Sequence, residues 1–302
     1  MPDYGMVVAG AWAESESGER TEATSPATGE SLGTVPEGTR EDARRAIAAA
    51  NAARRGWAAL SAFERAAAMN RVADLVEERR HDLALTLTLD QGKPLHAESY
   101  GEVDELVVYW RMAAADATRL AGSLPPSVDA SKRILAYRVP RGVVGVITPW
   151  NWPYTMPAEL IAPALAAGNA VVWVPAPSTS VCAVKLAECI VDAELPAGVF
   201  SMITGPGSVV GDEVASSSGV HGIGFIGSVA TGLHVAARAA GKATLLELGG
   251  NGPMVVLEDA DVEAAAEASL VASFLCAGQS CTAGERFLVH ESVHDEFVDA
   301  LR

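Results

Sequence analysis

An α/β fold with a mostly parallel sheet covered on both faces is predicted by two features of the sequence. Apolar segments at 142–148, 169–174, 199–203, 221–226 and 243–247 alternate with helical stretches at about 154–167, 178–193, 208–217 and 228–240, the pattern of strands joined by crossover helices. Suggestive residues stand at the ends of four of the apolar segments: Thr148-Pro149-Trp150-Asn151, Thr204-Gly205-Pro206-Gly207, Ile226-Gly227-Ser228 and Glu247. A parallel sheet binds its ligands beyond the carboxyl ends of its strands, which is where this pattern puts these residues.

The elements can be justified in order. Residues 6–12 (MVVAGAW) read as a strand, and 21–35, centred on Ser25-Pro26-Ala27-Thr28-Gly29-Glu30, as a turn between strands. Thr39-Arg40-Glu41-Asp42 opens an Ala-rich helix to about Arg55, with Thr39 as cap and carboxylates in the first turn. Residues 61–80 form an amphipathic helix. Residues 81–91 form a third, halted at Gly92-Lys93-Pro94. A fourth covers about 97–121, with Glu102, Asp104 and Glu105 read as its solvated face. Residues 133–139 alternate as an exposed strand or hairpin arm of the kind used in assembly. After the last apolar segment of the alternating series, a strand at 287–290 and a helix at 293–301 are expected. These elements divide the chain into N-terminal strands and helices (1–126), an exposed arm (127–140), a Rossmann-like core (141–247) and the start of a second α/β unit (248–302).

At 302 residues, 49% hydrophobic and 20% charged, the chain can bury a substantial core and has room for about two domains. A net charge of −16 argues against nucleic acid as a partner. No apolar run reaches membrane-spanning length without glycine, proline or charge, and the first residues lack the basic region of a signal peptide. The four cysteines form no CxxC pair and have no clustered histidines, so no metal site is expected and the thiols are read as reduced, in the cytoplasm.

The chemistry gathers between Glu247 and Cys281. Glu247-Leu248-Gly249-Gly250-Asn251 ends an apolar run, and Gly278-Gln279-Ser280-Cys281-Thr282-Ala283 is a small-residue turn presenting a thiol. A thiolate is a strong nucleophile, and a carboxylate of tuned pKa can take a proton from thiol or water. Cys182, Cys189 and Cys276 lie inside helical apolar patterns and read as packing residues. The amide of Asn151, at a strand end, can donate to an oxyanion. Phe225-Ile226-Gly227-Ser228 opening a helix, and Gly205-Pro206-Gly207 leading to Gly211, are candidate phosphate cradles. The second is one residue longer than the dinucleotide fingerprint, and a plain strand-to-helix turn explains it equally well.

Together, Pro149-Trp150-Asn151-Trp152-Pro153, Phe225-Ile226-Gly227-Ser228, the Glu247 motif and the Cys281 motif resemble the aldehyde dehydrogenase superfamily, in order and over essentially the whole chain. The resemblance implies oxidation of a small-molecule aldehyde to a carboxylic acid with NAD or NADP. It implies Cys281 as nucleophile, Asn151 and the Cys281 backbone N–H as oxyanion donors, and Glu247 as the base that activates water. The cofactor contacts it implies are Ile147, Thr148, Pro149, Trp150, Val174, Ala176, Pro177, Gly207, Gly211, Phe225, Ile226, Gly227, Ser228, Leu248 and Gly249. For a full-length member it implies a homo-oligomer.

Three departures from the family pattern qualify these expectations. Val174 and Pro177 stand where a lysine and a glutamate usually contact the adenosine ribose, so similar, modest affinities for NAD and NADP are expected. Ile226 stands where threonine is common. The chain ends at Arg302, well before the family's usual end, so either a truncated gene product or a partial sequence is expected, with exposed sheet edges and apolar faces and weak or no activity of its own. The alternatives are a non-catalytic remnant that binds nucleotide or co-assembles with a full-length relative, and a thiol-dependent esterase that uses Cys281 without a cofactor.

Overall fold

The computed structural model describes residues 2–302. Four N-terminal strands, β1 (Met6–Val8), β2 (Ala11–Ala13), β3 (Arg20–Thr24) and β4 (Ser31–Pro36), precede the helices α1 (Arg40–Ala59), α2 (Ala62–Glu78), α3 (Arg80–Gln91) and α4 (Tyr100–Ala117). The alternating region follows as β5 (Val143–Ile147), α5 (Thr155–Ala166), β6 (Ala170–Val174), α6 (Ser180–Asp192), β7 (Phe200–Met202), α7 (Asp212–Ser216), β8 (Gly222–Gly227), α8 (Val229–Arg238) and β9 (Ala243–Leu248). The last elements are β10 (Gly252–Val256), α9 (Val262–Phe274), β11 (Gly284–Val289) and α10 (His294–Ala300).

Seven strands form the main sheet in the order β2-β1-β7-β6-β5-β8-β9. All pairings from β7 through β9 are parallel, whereas β1 joins β7 and β2 antiparallel. The chain runs outward from β5 through β6 to β7 and then returns to β8 on the other side of β5. That reversal leaves a crevice beyond the carboxyl ends of β5 and β8, the place where open parallel sheets hold ligands.

Strand alternation supplies the two cores. Val171 and Trp173 of β6 pack on one face with α2 to α6, while Ala170, Val172 and Val174 pack on the other with α1, α7 and α8. Helices α1 and α2 start at capping boxes, Thr39 with Asp42 and Ser61 with Glu64, each satisfying backbone donors at both ends of the motif. Gly92, at φ 95°, ends α3 where a side chain would be strained.

Several expectations are corrected. The strand expected at 6–12 is a hairpin, turned at Ala9 and Gly10, both with positive φ. The fourth helix ends at Ala117 rather than 121 and is entered through a wide turn, Leu95–Ser99. Residues 133–139 form no strand: only an isolated antiparallel bridge joins Ser123 to Ala136. Within one chain this arm has no neighbouring strand to continue the ladder, and Leu135, Tyr137 and Val139 are exposed. Glu102 is not on a solvated face. It is fully buried and ion-paired with the equally buried Lys93, whereas Asp104 is exposed and pairs with Arg80. Cys276 lies in a left-handed turn with Ala277, not in a helix.

Candidate active site

The three residues assigned chemistry come from three distant parts of the chain and line one cleft of roughly 440 Å³. Asn151 follows β5, Glu247 lies near the end of β9, and Cys281 sits between α9 and β11. β8 pairs Ile226 with Glu247 and Gly227 with Leu248 in parallel register, which brings both expected motifs to one end of the sheet. The same cleft is lined by Pro149, Trp150, Ile226, Gly227, Ser228, Leu248 and Gly249.

Cys281 is exposed; Cys182, Cys189 and Cys276 are buried. Burial pushes the Cys182 thiol well above its ordinary range, with nearby Asp90 and Glu102 adding to the effect. It carries Cys189 up to about 11 and raises Cys276 as well. An exposed thiol in a cleft is the accessible nucleophile of the four.

Asn151 is held from several sides. Its amide Nδ2 donates to the Gln279 carbonyl at 2.8 Å, which leaves the second amide hydrogen for a ligand. Its Oδ1 is buried without a partner among the described residues. The Asn151 carbonyl accepts from the Cys276 thiol at 3.3 Å, and the Cys276 N–H donates to the Glu98 carboxylate at 3.0 Å. Three consecutive left-handed residues, Cys276, Ala277 and Gly278, bring the chain to Gln279. Two of them carry side chains, a strained conformation of the kind that gathers at functional sites. Gly250 is pressed against the same loop: a Cβ there would lie 3.3 Å from the Cys281 carbonyl oxygen.

The floor beneath Asn151 was not foreseen. Glu102 accepts from the Tyr154 and Thr155 N–H groups at 3.0 and 3.3 Å, capping α5 from a different helix. Burial pushes its carboxyl up, opposed by the Lys93 ammonium. Lys93 stands 3.3 Å from the centre of the Trp152 ring, a desolvated cation–π contact. Glu159 of α5 has its carboxyl raised, first by burial and then by Glu105 and Glu247, against the lowering effect of the Tyr109 hydroxyl.

The expected cofactor contacts divide. Ala176 and Pro177 line a second pocket beside the turn after β6. Thr148 is buried and its hydroxyl accepts from Trp173 Nε1 at 2.9 Å. Val174 and Phe225 are buried in the apolar core, so neither side chain reaches the cleft. Ile147 packs partly against that core and would lie 3.8 Å from a Cβ at Gly211. Gly207 faces open space. Ser228 caps α8 by accepting from the Thr231 N–H.

Comparison with known proteins places this geometry in context. The model of the aldehyde dehydrogenase family matches residues 12–302. The chain is 40% identical to an alpha-ketoglutaric semialdehyde dehydrogenase of Bacillus subtilis over 301 residues, 99% of this chain and 62% of the relative. It is 39% identical to an NADP(+) succinate-semialdehyde dehydrogenase of Escherichia coli, across 98% of this chain and 62% of that protein. The crystal structure of a Burkholderia pseudomallei succinate-semialdehyde dehydrogenase superimposes with a TM-score of 0.95 at 42% identity, over 99% of this chain and 62% of that one. The chain thus spans about 62% of the length of these relatives. The family match over residues 12–302, the identity to these relatives and the shared fold show that the chain belongs to the aldehyde dehydrogenase family.

Proposed function

We propose that the protein oxidises an aldehyde to a carboxylic acid with NAD or NADP, with Cys281 as nucleophile, Glu247 as base and Asn151 as oxyanion donor. The observation that carries this reading is the convergence of these three side chains on one cleft at the topological switch of the sheet. The backbone around that cleft suits a dinucleotide. A Cβ at Gly249 would meet nothing within 4 Å, and the N-terminus of α8, capped by Ser228, faces the cleft with its positive end.

In this mechanism the Cys281 sulfur adds to the aldehyde carbon, and negative charge develops on the former carbonyl oxygen. The free hydrogen of the Asn151 amide and the Cys281 N–H donate to that oxygen. NAD or NADP, when bound, supplies the hydride acceptor that turns the adduct into a thioester. Glu247 then takes a proton from water as the water attacks the thioester carbon, which releases the acid and returns the thiolate. Residues 127–140, which expose Leu135, Tyr137 and Val139, serve self-assembly in this reading. Residues 248–302 form the unit that carries the nucleophile, and the protein works in the cytoplasm, where thiols stay reduced.

The test is a dehydrogenase assay run beside an ester-hydrolysis assay, each with the Cys281→Ala variant. Reduced cofactor that forms with aldehyde and disappears in Cys281→Ala supports the proposal. Ester hydrolysis through Cys281 without any nucleotide binding would move the protein to a cofactor-free esterase.

A further inference from the structure

A pocket of roughly 290 Å³ opens beside the turn after β6, walled by Pro36, Pro175, Pro177 and Pro206. Three polar side chains line it that no motif marks, Thr21, Glu37 and Ser180. Ser180 is 1% exposed, and its hydroxyl has no partner among the described residues. A buried, unsatisfied hydroxyl on the wall of an apolar pocket is what a bound polar ligand would complete.

Glu37 is held in place by its neighbours. Its N–H donates to the Glu19 carbonyl at 2.8 Å, and the next residue, Gly38, donates to the Thr204 carbonyl at 3.0 Å. The Thr204 hydroxyl donates back to the Pro36 carbonyl at 2.6 Å. A Cβ at position 38 would lie 2.2 Å from the Thr204 oxygen, so only glycine allows this approach. The Glu37 carboxylate accepts from the Thr21 hydroxyl at 2.5 Å. No lysine, arginine or histidine lines the pocket.

Resting on the reading of the protein as a nucleotide-dependent dehydrogenase, we propose that Glu37 determines cofactor specificity by receiving the adenosine ribose diol. It takes the place of the carboxylate that Pro177 lacks and selects a dinucleotide with a free 2′-hydroxyl. A fixed carboxylate accepts from the two hydroxyls of a ribose and repels a 2′-phosphate. With no cation in the pocket, nothing offsets that repulsion. This replaces the sequence-based expectation of similar affinities for NAD and NADP with a preference for NAD.

The experiment is calorimetric titration of the 302-residue chain with ADP-ribose and with 2′-phospho-ADP-ribose, probes that lack the nicotinamide and so read the adenosine end alone. ADP-ribose should bind at least about tenfold more tightly, the scale of one like-charge juxtaposition. Glu37→Gln should recover roughly that factor for the 2′-phosphorylated probe and weaken ADP-ribose a few-fold. Thr21→Val, which keeps the carboxylate, should keep the discrimination. Equal affinities in the wild type, or an unchanged ratio in Glu37→Gln, would overturn the role of Glu37 while leaving the dehydrogenase reading intact. If neither probe bound, the inference and the nucleotide dependence beneath it would fall together.

Discussion

At the scale of single residues, burial separates groups that look alike in the sequence. Four cysteines sit in apolar or small-residue surroundings, yet Cys281 alone is exposed and the other three are buried with raised thiols. Brief, substoichiometric iodoacetamide followed by peptide mapping should therefore label Cys281; label on Cys182 or Cys189 would contradict the assignment. The Gly-Gln-Ser-Cys turn made this legible, because small residues beside a thiol leave it accessible. Nothing local announced Asp90. Burial lifts its carboxyl to about 6, against the hydrogen bond from the Cys182 N–H. The unfolded chain loses this proton near the ordinary 3.8 and the folded chain only near 6. Between those values the folded state holds more protons, so its stability is fully present at low pH and falls as pH rises through the window. The loss amounts to about 3 kcal/mol. Urea unfolding of wild type and Asp90→Asn across about pH 4 to 7 should show the wild type losing that much relative to the variant. Parallel curves would show that Asp90 does not titrate this way.

At the scale of elements, the strands and helices of the alternating region fell within one or two residues of their expected bounds, except that α7 begins at Asp212, four residues after the expected 208, because hydrophobic period and glycine turns are local signals. Two of the errors came where a residue's partner lies outside its own element. An acidic residue on a helix reads as solvated unless its cation is visible, and Glu102 finds Lys93 and the Tyr154 and Thr155 amides only in the folded molecule. The arm at 133–139 alternates like a strand but has nothing in this chain to pair with. Lys93 and Glu102 together fix the segment that follows Asn151, through the Trp152 ring and the start of α5. Lys93→Met leaves a buried carboxylate unpaired and should cost about 3–5 kcal/mol, as should Glu102→Gln through the stranded ammonium. The double variant should cost clearly less than the sum of the two. A double-mutant cycle by denaturant unfolding measures this, and additive losses would mean that the pair does not act as a unit.

At the scale of the whole molecule, the site is assembled across a difference in packing. Glu247 and Asn151 belong to a sheet with extensive cores on both faces. Cys281 belongs to the β10–α10 region, whose buried apolar set is Val256, Val262, Ala266 and Phe297. There Val255, Leu257 and Leu288 are exposed, as the sequence led one to expect of its apolar faces. Amides of β10 and β11 should exchange with solvent through openings of lower free energy than those of β5 and β6, as seen by hydrogen exchange; equal protection would show one cooperative unit. The Asn151 bond to the Gln279 carbonyl and the Cys276 thiol's bond to the Asn151 carbonyl tie the cysteine loop to the segment after β5. The division of labour across that join is the central claim, and pre-steady-state kinetics of Glu247→Gln test it most directly. The variant is best examined in a chimera that carries a relative's remaining region after Arg302. The variant should release a burst of reduced cofactor near one equivalent per site and then turn over slowly, since losing a positioned base costs roughly 10²–10⁴-fold in the step it serves. Cys281→Ala should show no burst, and Asn151→Ala should slow the burst itself by about 10²–10³-fold. A Glu247→Gln variant with no burst at all would mean that Glu247 acts before hydride transfer, on the thiol, and would contradict the water-activating role assigned to it.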